Sequence, residues 1–78
     1  MKNKFIELNI VVQDDVSLYY TIEFININFI LRLIRDFNTE IDLKPLPQTN
    51  IMLYNGSCLL AKESYETIKN LIISAQSK

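Results

Sequence analysis

Two back-to-back runs of alternating residues constrain this chain more than anything else in it. From Phe5 to Val12 the apolar Ile6, Leu8, Ile10 and Val12 fall on one side, and Phe5, Glu7, Asn9 and Val11 on the other. After Gln13-Asp14-Asp15 the pattern resumes, with Val16, Leu18, Tyr20, Ile22 and Phe24 on one side and Ser17, Tyr19, Thr21, Glu23 and Ile25 on the other. A period of two is the signature of strands, and two strands separated by a short polar stretch form an antiparallel hairpin. A loop over residues 13–15 would set Val12 opposite Val16, Ile10 opposite Leu18 and Ile6 opposite Ile22, uniting the two apolar rows on one face.

The next stretch fits two templates. Ile27, Ile30, Leu31 and Ile34 match a helical stripe, while Phe29, Leu31 and Leu33 match a strand face. β-branched residues and the flanking asparagines favour a turn over 26–28 and a strand over about 29–35. Residues 36–49, with Asn38, Pro45 and Pro47, read as a long loop whose Ile41, Leu43 and Leu46 pack on something. Asn55-Gly56 then marks a second hairpin between Ile51–Tyr54 and Ser57–Ala61, and a two-residue turn there opposes Leu53 to Cys58, Met52 to Leu59 and Ile51 to Leu60. Ser64 is placed to cap a final helix that starts at Tyr65 and runs to about Ala75, with Tyr65, Ile68, Leu71, Ile72 and Ala75 on one stripe. The expected fold is a single α+β domain over residues 1–78: a bent antiparallel β-meander of four to five strands and one C-terminal helix. A barrel-like closure of the sheet is the alternative.

Composition removes most chemistry. The 78 residues contain no histidine, no tryptophan and one cysteine, so a histidine acid/base pair, a Cys/His zinc site and an internal disulfide have no residues to build them. No catalytic residue, metal site or cofactor is expected. Asp14 and Asp15 read as solvated turn formers, since no further oxygen ligands accompany them at binding-loop spacing. Cys58, expected to alternate inward beside Leu53, reads as a small buried hydrophobe in a reducing compartment. Eight basic against nine acidic residues give a net charge of −1, which argues against a nucleic-acid binder. Glu7 and Asn9 interrupt the segment after the basic Lys2 and Lys4, so export is not expected and the protein is placed in the cytoplasm. Ile27 to Ile34, broken by Asn28 and Arg32, is far short of the roughly 20 residues of a membrane span. The sequon Asn55-Gly56-Ser57 is therefore read as a turn.

What remains is apolar surface that one helix cannot cover. Phe5, Val11, Tyr19 and Ile25, joined by Met52, Tyr54 and Leu59, would lie on the face away from the helix, and a contiguous patch of that kind marks a contact surface. A chain of this size buries only about 60% of its unfolded surface, which adds to the expectation of a partner. The residues point to a non-enzymatic binding or adaptor protein acting through protein–protein contacts, as a homo-oligomer. An alternative is a phage-type nucleotide binder or sequestering protein, with Arg32, Arg35 and Tyr54 as ligand contacts through stacking and charge pairing.

Residues 50–73 combine an apolar strand, a turn at Gly56, a strand ending in Lys62-Glu63-Ser64 and an amphipathic helix. In this they resemble the closing hairpin and helix of the FlbD-like group of small flagellar and swarming-motility proteins, and related small uncharacterised proteins of Bacteroidetes and their phages. Asn26 followed by Ile30 and Leu33 is similar to that group's turn and third strand. The resemblance implies a small bacterial or phage protein and supplies no catalytic residues. The same succession of strand, glycine turn, serine cap and helix resembles LytTR-type DNA-binding domains, which would imply DNA binding against the acidic balance of the chain.

Overall fold

The structure, a computed structural model, describes residues 4–35 and 41–77. Among the described residues, five antiparallel strands form one sheet and a single α-helix follows them: β1 (Phe5–Gln13), β2 (Leu18–Asn26), β3 (Ile30–Arg35), β4 (Thr49–Leu53), β5 (Cys58–Ala61) and α1 (Tyr65–Gln76). This is the expected α+β meander, and the ambiguous segment after Asn28 is a strand. The loop expected over 36–49 is described from residue 41 onward, and residues 36–40 lie outside the described residues. None of the described helices is long and apolar enough to cross a membrane.

The strands lie in the order β2-β1-β5-β4-β3, so β2 and β3 are the two edges. Only a 3-10 turn, Ile27–Phe29, joins them. Four chain steps reach at most about 14 Å, whereas a flat five-stranded sheet is roughly 19 Å across. The sheet must therefore curl until its edges approach at Asn26 and Ile30. It stops short of a barrel, for no β2–β3 ladder forms among the described residues. β1 meets β5 in a ladder of one residue pair, Ile10 with Ala61.

Both hairpins depart from the expected register by an odd number of residues, three in the first and one in the second. In the first, Gln13 pairs with Leu18 and Ile6 with Ile25, so the loop is the four residues 14–17 rather than 13–15. Asp14 explains the choice: its Oδ1 accepts the backbone N–H of Val16 at 2.9 Å and of Ser17 at 2.8 Å, while its own N–H donates to the Ser17 carbonyl at 3.0 Å. A carboxylate cage of this kind needs the longer loop. Because a slip by an odd number of residues exchanges the faces of a strand, Leu18, Tyr20, Ile22 and Phe24 turn away from the helix, and Ile25 turns toward it.

In the second hairpin Met52 pairs with Cys58 and Ile51 with Leu59. The turn is the three-residue Tyr54-Asn55-Gly56, closed by Leu53 N–H to the Ser57 carbonyl at 2.8 Å and Gly56 N–H to the Leu53 carbonyl at 3.0 Å. Gly56, at φ +90°, supplies the one left-handed residue that such a loop requires. Leu59 thus faces inward in place of Leu60. Cys58, expected inward, is exposed on the outer side.

The core lies between the sheet's inner face and α1. Ile6, Leu8, Ile10, Ile25, Ile27, Ile51 and Ala61 meet Ile68 of the helix, with Leu33, Leu59, Ile72 and Ala75 packed around them. Ser64 starts α1, its Oγ accepting the Thr67 N–H at 3.2 Å, and Glu66 stands in the first turn, where the helix dipole favours an acid.

Candidate interaction surface

Residues directly opposite in an antiparallel ladder share a face, so the observed register decides what lies outside. On β2 the outer row is Leu18, Tyr20, Ile22 and Phe24; beside it on β1 stand Phe5, Glu7, Asn9 and Val11. The apolar residues thus line up along the edge strand, and the polar ones sit one strand in. Farther across, Met52, Cys58, Leu60 and Arg32 continue the same face.

One end of this face is covered by the chain itself. The Tyr20 hydroxyl donates to the carbonyl of Pro45, which follows a cis Lys44–Pro45 bond, and the Lys62 ammonium lies 5.9 Å from the Tyr20 ring centroid. Burial, with the charge of Glu63 as a smaller cause, holds the Tyr20 hydroxyl above its usual pKa. The cover stops there: Ile22 is 60% exposed and Phe24 69%.

The candidate contact residues named from sequence separate. Phe5, Val11 and Met52 lie on the outer face. Ile25, 8% exposed, belongs to the core, and Leu59 packs against it. Tyr19 pairs with Val12 on the inner face, near the first loop, and stays partly exposed. Tyr54 has left the strand for the turn, where its N–H donates to the Phe29 carbonyl at 2.9 Å and an open apolar cleft of about 340 Å3 is lined by Phe29, Leu53, Tyr54 and Asn55. Sequence reasoning misses Ile22 and Phe24: their alternation with Tyr20 is legible, but a loop over 13–15 turns that row inward.

The arginines do not converge. Arg32 pairs with Met52 and points outward, while Arg35 pairs with Thr49 on the inner face. There Arg35 lies 4.8 Å from the Tyr65 ring centroid and 3.4 Å from Glu66 Oε1. Asp14 is held below the usual carboxylate range by the Val16 and then the Ser17 backbone N–H, the behaviour of a turn former. No three acidic or cysteine side chains gather among the described residues. Set against known protein families, curated proteins and solved structures, the chain matches none of them.

Proposed function

We propose that this chain is a small non-enzymatic binding or adaptor protein of the cytoplasm, working through protein–protein contacts as a homo-oligomer. The observation that carries this reading is the row Ile22 and Phe24, large apolar side chains standing in water on the sheet face that α1 does not cover. Clustered exposure of this kind is the usual mark of a contact surface. The unpaired, exposed Cys58 thiol suits a reducing compartment. The nucleotide-binding alternative asks Arg32, Arg35 and Tyr54 to surround one ligand, yet the two arginines occupy opposite faces of β3, so the contact reading is the one supported. Sedimentation velocity across the micromolar range tests it: a mass that rises with concentration is expected, and a monomer throughout would overturn the homo-oligomer.

A further inference from the structure

The two edges of the sheet are built differently. β3 is short, and its register shifts by one residue at Leu31, between Ile30 and Arg32; two arginines interrupt it. Bulges, basic side chains and brevity are the devices by which natural sheets prevent edge-to-edge pairing. β2 has none of them: its nine residues, Leu-Tyr-Tyr-Thr-Ile-Glu-Phe-Ile-Asn, pair with β1 without a register break and contain neither proline, glycine, lysine nor arginine.

The backbone of β2 is also aimed at a partner strand. Two hydrogen bonds in the same register bracket its ladder with β1, Ile27 N–H to the Lys4 carbonyl at 2.8 Å and Asp14 N–H to the Ser17 carbonyl at 3.0 Å. Bonded and non-bonded pairs alternate along an antiparallel ladder. The odd-numbered residues of β2 therefore address β1, and Leu18, Tyr20, Ile22, Phe24 and Asn26 direct their N–H and C=O groups at the open edge. An extended strand is what satisfies such a row.

The sequence of β2 further specifies which strand. Folded about Ile22 it meets itself without conflict: Tyr20 faces Phe24, Tyr19 faces Ile25, Thr21 faces Glu23 and Leu18 faces Asn26. The geometry points to a second copy of this chain, its own β2 running antiparallel along this edge about a two-fold axis at Ile22. This rests on the reading of the chain as a self-associating module and gives that association a strand and a register. The pairing uses the whole strand, and every even residue meets an even one, so the outward backbone groups bond in pairs. Tyr20 lies opposite the partner's Phe24 on the outer face, an aromatic cross-strand pair. Glu23, the only carboxylate of β2, meets the partner's Thr21. Moving the axis to residue 23 would set two carboxylates against each other, and odd shifts would mismatch the bonding groups.

Disulfide trapping tests the register, in a Cys58→Ser background that leaves one thiol per chain. Bonded antiparallel pairs have Cα atoms about 5.5 Å apart, within disulfide reach, and residues four places apart along such a pair are roughly 13 Å apart. Under mild oxidation Ile22→Cys is expected to form a covalent dimer readily and Phe24→Cys at least tenfold more slowly. As a second readout on the unaltered chain, the Ile22 and Phe24 amides should exchange slowly when associated and rapidly on dilution. An associated chain whose Ile22→Cys variant fails to cross-link, or cross-links no faster than Phe24→Cys, with those amides unprotected, overturns the edge pairing and leaves the homo-oligomer standing. A monomeric chain with unprotected amides overturns both.

Discussion

The carboxylate of Glu63 closes the ladder that β5 leaves unfinished on β1: its Oε1 and Oε2 each lie 3.1 Å from the Asn9 backbone nitrogen, and Oε2 also accepts from Asn9 Nδ2 at 2.8 Å. Next to it Lys62 N–H donates to the Asn9 carbonyl at 2.9 Å, and the hydroxyl of the fully buried Thr49 donates to the Glu63 carbonyl at 2.9 Å. Along β1 and β5 the sheet is thus held by one strand pair and this side-chain knot.

Removing the knot should weaken the whole domain. Glu63→Ala leaves the Asn9 N–H without its acceptor, and hydrogen bonds to charged groups contribute about 1.5–3 kcal/mol, so a loss near the middle of that range is expected in urea unfolding. Glu63→Gln keeps one acceptor oxygen and should lose less. Equal stability of Glu63→Ala and the parent would show that the ladder stands without this carboxylate.

The first loop predicts an acid-sensitive stability. Asp14 titrates below its usual value in the folded chain because the Val16 and Ser17 amides hold its charged form. A carboxyl depressed on folding adds stability that is present above about pH 4, its unfolded range, and lost as pH falls through the lower folded value. Asp14→Asn, which retains an acceptor oxygen but cannot titrate, should flatten that acid limb in thermal melts. An unchanged acid limb would remove Asp14 as its source.

At the alkaline end the relevant group is Tyr20. Its pKa is raised by burial first and by Glu63 second, so the neutral phenol is favoured in the folded state. Stability from this source is complete below about pH 10 and disappears as pH rises through the higher folded value. In ultraviolet titration Tyr20 should ionise above the usual tyrosine range, and Tyr20→Phe should abolish that late step. The same variant loses the bond to the Pro45 carbonyl, so its thermal midpoint should fall by a few degrees.

The Gly56 turn yields a substitution test of local geometry. No heavy atom lies within 4 Å of where a Cβ would stand, so space is ample, but φ +90° strains any L side chain. Gly56→Ala is expected to lose roughly 1–2 kcal/mol, read from the urea midpoint, with the hairpin register kept. A neutral Gly56→Ala would mean that the turn relaxes to another type.

The strands and the helix were legible in the sequence because their signals are local: alternation in β1 and β2, the asparagine-glycine pair, the serine cap before Tyr65. The registers were not, because each depends on where the loop begins and ends. At the first loop the decision belongs to Asp14, whose oxygen collects two amides only if Ser17 joins the loop. β2 offers no correction, since either of its faces carries apolar residues: Leu18, Tyr20, Ile22 and Phe24 on one, Tyr19 and Ile25 on the other. Asn55-Gly56 suggested a two-residue turn, while the structure spends its left-handed residue on Gly56 after Tyr54 and Asn55. Hence the existence of an outer apolar face could be argued beforehand, but half of its membership could not.

The most direct test of that face compares two lysine substitutions by light scattering at a concentration where the parent chain is associated. Ile22 and Ile73 are both exposed isoleucines, one on the outer face of β2 and the other on α1. Ile22→Lys is expected to give a monomer, because the substitution places a charge in the contact, while Ile73→Lys keeps the parent's mass. Association that survives Ile22→Lys and fails in Ile73→Lys would contradict the account and move the contact to the helix.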